Sequence, residues 1–224
     1  MKIHKFDICT YNFRPIIEEY LEINDLENIY TEKLRFENPL DCMQTYYHKL
    51  YSIKIKTNSK FLVLYNKFIN EYVGKIFNFD FLFESQPLIR VHQKNNVSVM
   101  DYHIDSVYLA PDGVSEIFKH EINFWMPLTK AYGTNSLWVE SYPNKKDYTP
   151  IIASYGDLIE FDGANLYHGT EINTTGQTRV SLDFRILPKK IYDKSKKQLS
   201  EDTKIFLNDY YSEFEVKRNT FNYF

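Results

Sequence analysis

The sequence predicts a mainly β protein. A double-stranded β-helix (jelly roll) core spans about 86–187, flanked by N-terminal helices over 1–85 and C-terminal helices over 190–224. Three observations predict it. Eight short β-rich runs (87–93, 97–104, 119–127, 136–141, 149–153, 157–161, 164–168 and 178–186) are separated by turn residues such as Asn95-Asn96, Asp162-Gly163 and Thr175-Gly176. That is the texture of a sandwich or barrel, and an eight-stranded jelly roll is the obvious candidate. Ahead of these runs, apolar residues recur at helical spacing. No repeat, low-complexity segment or Gly/Ser linker interrupts the 224 residues, a length that suits one domain with a sizeable core, so 1–224 reads as a single domain.

In the first flank, Pro15 to about Asn24 is a short helix. Asn38 as N-cap with Pro39 behind it opens a helix to about Leu50. Lys49–Lys56 alternates at Leu50, Tyr51, Ile53 and Ile55 and reads as a strand. Asn58 or Ser59 caps a further helix, whose stripe of Phe61, Leu62, Leu64, Tyr65, Phe68, Ile69 and Tyr72 reads as core packing. In the last flank, Ser200 with Glu201 and Asp202 caps a helix carrying Ile205, Phe206 and Leu207.

Hydrophobic residues make up 43% and charged residues 25%, as in an ordinary globular protein. A net charge of −3 gives no electrostatic case for nucleic acid or a membrane as partner. No run approaches the roughly 20 apolar residues of a membrane span. The N-terminus lacks a basic segment leading into an apolar run. The expected location is cytoplasmic. Cys9 and Cys42 form neither a CxxC pair nor a disulfide framework and read as buried thiols in a reducing compartment.

The residues that chemistry needs and folding does not are His103, Asp105 and His168. On a strand, positions i and i+2 point to one face, so His103 and Asp105 reach one ion. His168 follows Asp105 by 63 residues, just past the turn at Asp162-Gly163, and jelly-roll strands far apart in sequence lie side by side. Two imidazoles and one carboxylate that leave other positions open are the ligand set of non-haem Fe(II) oxygenases. His4, His48, His92 and His120 lack such partners and read as structural.

Arg179 comes 11 residues after His168, on a run that alternates strictly. Arg179, Ser181, Asp183 and Arg185 share one face; Val180, Leu182, Phe184 and Ile186 share the other. A guanidinium grips a carboxylate as a fork, and a hydroxyl two residues on adds a third hydrogen bond. Arg179 and Ser181 are therefore the expected anchors for the far carboxylate of 2-oxoglutarate. Asp183 and Arg185 either pair with each other, or Arg185 reaches a substrate anion.

Residues 88–187 resemble the Fe(II)/2-oxoglutarate-dependent dioxygenase superfamily. They are most similar to its small bacterial oxygenases akin to phytanoyl-CoA dioxygenase and to streptomycin-cluster enzymes. His103-Ile104-Asp105, the run Ile122 to Leu128, Tyr167-His168-Gly169-Thr170 and the run Arg179 to Arg185 carry the resemblance. It implies Fe(II) as the metal, 2-oxoglutarate and O2 as cosubstrates, and succinate and CO2 as products. Related halogenases replace the carboxylate ligand with a small residue, so Asp105 implies hydroxylation rather than halogenation, with desaturation, epoxidation or ring formation open on the same ligands. The resemblance further implies that Asn123 and Gln93 hydrogen-bond the cosubstrate from inward-facing strands. It places Trp138 and Glu140, on one face of 136–141, near the active-site mouth as substrate contacts. Loops 142–148, with Lys145 and Lys146, and 106–116 either cover that mouth or are ordinary charged surface loops. The expected substrate is a small sugar, amino-acid or nucleotide derivative. A peptide or protein hydroxylase on the same core, and a metal- or sugar-binding jelly roll without turnover, are the alternatives.

Overall fold

Apolar residues four apart set the helices of the first flank. In the computed structural model, which describes residues 1–29, 46–57, 59–96, 102–108, 117–195 and 210–216, α1 (Phe13–Leu21) buries Phe13, Ile17, Tyr20 and Leu21. That is one stripe of a 3.6-residue period. Pro15 falls in its first turn, where a missing N–H costs no intrahelical bond. α2 (Tyr46–Thr57) stands where a strand was expected over Lys49–Lys56. Tyr47, Tyr51 and Ile55 are buried, whereas Ile53 is 60% exposed; a strand would have put Ile53 on the same face as Tyr51 and Ile55. The helical period therefore overrides the local alternation. α3 (Ser59–Phe68) continues through a π turn at Ile69–Val73 into Gly74–Ile76 and buries Phe61, Tyr65, Phe68, Ile69 and Val73.

The strands are β1 (Lys2–Lys5), β2 (Phe81–Glu84), β3 (Leu88–His92), β4 (Ile122–Pro127), β5 (Trp138–Val139), β6 (Thr149–Pro150), β7 (Asp157–Phe161), β8 (His168–Gly169), β9 (Arg179–Pro188) and β10 (Tyr211–Phe214). They form two antiparallel sheets. The larger has the order β1-β7-β4-β9-β2-β10, with β3 also on β9; the smaller is β6-β5-β8. β9 is the axis of the larger sheet. β4 runs along one edge of it, from Ile122↔Ile186 to Pro127↔Ser181. β3 and β2 share the other edge, from His92↔Arg179 to Phe81↔Pro188.

Three strands lie in flanks expected to be helical. β1 is an edge strand held by Lys2 and His4 on Glu160 and by Lys5 on Asp157; it carries no apolar alternation that would have announced it. β2 is buried along its whole length. β10 pairs Tyr211 with Glu84 and Phe214 with Phe81, so the last flank is not helical throughout. Its described helix is Lys189–Ser195. The expected strand over 97–104 is replaced within 102–104 by a single bridge between His103 and His168, followed by a helical turn at Asp105–Tyr108. Asn38-Pro39, Cys42, Asn58, residues 97–101, 109–116 and the Ser200–Leu207 helix lie outside the described residues. Cys9 is exposed rather than buried.

Helices, larger sheet and smaller sheet stack as layers. Val180, Leu182, Phe184 and Ile186 of β9 join Ile17, Tyr20, Phe61, Tyr65 and Phe68 in one core cluster. The Phe184 ring lies 5.5 Å from Tyr65 and 5.1 Å from Phe124. A second cluster fills the space between the sheets, with Trp125, Ile159 and Phe161 meeting Leu137, Val139, Ile151 and Ala153. The polar face of β9 opens into that inter-sheet space. No helix among the described residues is long and apolar enough to cross a membrane.

Candidate metal centre and cosubstrate pocket

His103, Asp105 and His168 converge. One ligand atom from each lies within 4.8 Å of the others, and among the described residues they are the one such group able to hold a metal ion. The local architecture differs from the expected i, i+2 strand pair. His103 and His168 exchange two backbone hydrogen bonds of 3.0 Å. The chain then turns at Ile104, and Asp105 opens a helical turn with its N–H on the Gly163 carbonyl at 3.0 Å. A bridge and a turn thus do what a strand face was expected to do.

The protonation states suit a cation. His168 Nδ1 lies 3.0 Å from the Leu166 carbonyl; a proton there leaves the Nε2 lone pair for a metal. Burial pushes the His168 imidazole below its usual value, so it is neutral at pH 7. Burial alone would raise the Asp105 carboxyl, but the Arg185 guanidinium, and then a hydrogen bond from His103, outweigh it and hold it well below the usual carboxylate range. Asp105 Oδ1 faces His103 Nε2 at 3.4 Å and His168 Nε2 at 3.6 Å. A buried, neutral imidazole and an ionised carboxylate oxygen aimed at one point fit Fe(II).

Arg179 lines the same cavity, whose volume is about 510 Å3 with its mouth included. The guanidinium is 1% exposed. Its Nε donates to the Asn135 carbonyl at 3.0 Å and its Nη1 to Ser181 Oγ at 2.8 Å, while the Trp125 ring lies 5.6 Å away. No carboxylate among the described residues comes within salt-bridge distance, and burial pushes the guanidinium down to about 9. The other two guanidinium groups on this wall are neutralised. Arg90 pairs with Asp183 through contacts of 3.2 and 3.3 Å, and Arg185 pairs with Asp105 and Glu84. A buried cation without an acidic partner is costly; among the described residues, Arg179 is the guanidinium on this wall that has none.

The other expected site residues divide. Ser181 is fully buried behind Arg179 and is not itself on the cavity wall; its oxygen accepts from Arg179 and, at 2.9 Å, from Trp125 Nε1. Asn123 is on the wall, but its Nδ2 donates to Asp105 Oδ2 at 2.6 Å, and its Oδ1 is buried with no hydrogen-bond partner. Gln93, Trp138 and Glu140 do not line this cavity. Glu140 is buried and accepts backbone N–H groups from Asn144, Lys146 and Tyr167 at 2.8 to 3.1 Å, so it pins loop 142–148. Lys145 in that loop pairs with Asp147 at 3.0 Å. Asp183 and Arg185, expected as a possible pair, each find another partner.

Several residues the sequence reading passed over hold the site. His92, read as structural, is fully buried against Arg179, with Nδ1 3.4 Å from Nη2. Burial, and then the adjacent guanidinium, push its imidazole down to about 3. Its Nε2 lies 2.8 Å from the Asn96 carbonyl and its Nδ1 3.1 Å from the Asn135 carbonyl, so the ring is fixed between two backbone carbonyls beside the guanidinium. Its place opposite Arg179 is set by the β3–β9 register, which left no signal in the sequence. Gly163 is needed for a close approach: a Cβ there would stand 2.8 Å from the Asn123 amide.

No protein-family model matches the chain. The streptomycin biosynthesis protein StrG of Streptomyces griseus is 29% identical over 208 residues, covering 92% of this chain and 95% of that protein, in keeping with the resemblance to streptomycin-cluster enzymes. Among solved structures, the non-heme monooxygenase ThoJ in complex with nickel aligns at 13% identity and a TM-score of 0.47, over 82% of this chain and 71% of that one. CytC3 with Fe(II) and alpha-ketoglutarate aligns at 16% identity and a TM-score of 0.46, over 84% and 72%. HygX from Streptomyces hygroscopicus, with nickel and 2-oxoglutarate bound, aligns at 13% identity and a TM-score of 0.44, over 83% and 81%.

Proposed function

We propose that this chain is an Fe(II)- and 2-oxoglutarate-dependent oxygenase that hydroxylates a small biosynthetic molecule and releases succinate and CO2. One observation carries the reading. A single cavity is lined both by His103, Asp105 and His168 and by Arg179, a buried cation with no acidic partner among the described residues. Bound Fe(II) would supply the activation of O2 and of the keto acid. The chain's residues do the rest. Three donors hold the metal from one side, and Arg179 seats the far carboxylate of 2-oxoglutarate as a fork. Ser181, Trp125 and His92 hold that guanidinium in place. In this reading 1–224 works as one domain, and the two sheets are the halves of a double-stranded β-helix. StrG's assignment to streptomycin biosynthesis supports the same substrate class.

The test is succinate release from 2-oxoglutarate. The reading predicts release that requires Fe(II) and is lost in both His168→Ala and Arg179→Ala. A protein that binds Fe(II) yet neither binds nor consumes 2-oxoglutarate would leave only a metal-binding β fold.

A further inference from the structure

The second oxygen of Asp105 carries information that the metal reading alone does not use. Asp105 is 4% exposed, and two N–H groups donate to its Oδ2, Asn123 Nδ2 at 2.6 Å and Arg185 Nε at 2.9 Å, while Arg185 Nη2 makes an ion-pair contact of 2.9 Å with the same oxygen. A fork usually spreads over both oxygens of a carboxylate. Here both its prongs close on one. Oδ1 is left turned toward the two imidazole Nε2 atoms.

Arg185 is itself held from behind. Its Nη1 donates to Glu84 Oε1 at 2.6 Å, and its backbone N–H donates to Glu84 Oε2 at 3.1 Å. Glu84 therefore grips the residue at both ends. The Tyr210 hydroxyl donates to that same Glu84 Oε1. The adjacent Tyr211 donates to Glu121, whose carboxylate is 3.8 Å from Arg185 Nε. Tyr211 opens β10, which pairs with β2, and Tyr210 immediately precedes it. A chain of contacts thus runs from the C-terminal strand through Glu84 and Arg185 to the carboxylate at the centre of the site.

We infer that Arg185 is a positioning residue that fixes Asp105 as a one-oxygen metal ligand, and that Glu84 on β2, with Tyr210 just ahead of β10, holds it there. This rests on the metal reading above. With Oδ2 occupied by two donors and an ion-pair contact, Asp105 would offer one atom rather than two. The metal then keeps the open positions that a keto acid and O2 require.

The test is metal binding without 2-oxoglutarate, by calorimetry with Mn(II) and by the electronic spectrum of the Co(II)-loaded protein. Arg185→Met should weaken Mn(II) binding by about 10- to 100-fold, the usual cost of losing a group that orients a ligand, and should change the Co(II) spectrum. Arg185→Lys keeps the charge but not the two converging N–H groups, so it should not restore either signal. Tyr210→Phe should weaken binding by roughly 2- to 5-fold, the worth of one ordinary hydrogen bond. Combined with Arg185→Met it should add nothing, because both act on one path. Should Arg185→Met fail to fold, Tyr210→Phe and Glu84→Gln carry the same prediction in milder form. Wild-type affinity and spectrum in Arg185→Met, full rescue by Arg185→Lys, or additive effects of Tyr210→Phe would each overturn the inference. Metal binding abolished by His168→Ala but untouched in Arg185→Met would overturn it alone. A wild-type protein that binds neither metal would overturn the metal reading with it.

Discussion

The two faces of β9 are built from the same ten residues and answer to different rules. Toward the helices, Val180, Leu182, Phe184 and Ile186 meet only apolar neighbours. What matters there is volume, and any side chain of similar size and polarity would do. Toward the smaller sheet, Arg179, Ser181, Asp183 and Arg185 each have a named partner at a hydrogen-bond or ion-pair distance. What matters there is direction, and a one-atom change leaves a buried group unpaired. Stability should therefore reside on one face and chemistry on the other.

The largest separation should come from Phe184→Ala, which opens a hole beneath α3. It should cost about 3–5 kcal/mol, read as a lower denaturation midpoint, while the folded fraction keeps its metal affinity. Arg179→Met should do the reverse. Removing a buried cation that has no acidic partner among the described residues should leave the melting temperature unchanged or raise it, yet weaken 2-oxoglutarate binding by about 100-fold, the scale of a charge-assisted fork. Equal losses on both axes in either variant would erase the division between the faces.

A pH titration sharpens the comparison on the helical side. His48, on α2, is 5% exposed, and burial, then the Arg90 guanidinium, push its imidazole down to about 4. A base depressed on folding is protonated first in the unfolded chain. Its contribution is complete above the unfolded value near 6.5 and is lost as pH falls toward 4. Between pH 7.5 and 5 the protein should lose about 2 kcal/mol through this group, and His48→Leu should remove that share of the slope in urea melts. The smallest effect should come from Gly163→Ala, where the new methyl crowds Asn123. With Asn123 shifted off Asp105, metal affinity should fall by about tenfold, with little change in melting temperature.

The sequence made the alternation of β9 legible, and with it the composition of both faces; which face turned inward followed from the position of Arg179 after His168. Convergence of His103, Asp105 and His168 was also legible, although the strand invoked for it was not the device used. Nothing in His-Ile-Asp distinguishes a strand face from a bridge followed by a turn, because the deciding hydrogen bonds go to His168 and Gly163, both distant in sequence. The same limit hid α2, where Ile53 supported alternation and only tertiary packing could select the Tyr47–Tyr51–Ile55 stripe. It also hid β10. Tyr210-Tyr211 and Phe214 carry β-favouring side chains, but a strand needs an edge to join, and that edge is β2, far back in the chain. The groups that orient the site residues, His92 on Arg179 and Glu84 on Arg185, were invisible for the same reason.

The central claim is that one cavity binds a metal and a keto acid together, so the two must be thermodynamically linked. The direct measurement is calorimetric titration of 2-oxoglutarate into the protein with and without Mn(II). The account predicts binding at least about tenfold tighter with metal present, a reciprocal gain in Mn(II) affinity, and loss of both gains in Arg179→Met. Equal affinity for 2-oxoglutarate with and without metal, or no binding in either case, would contradict it.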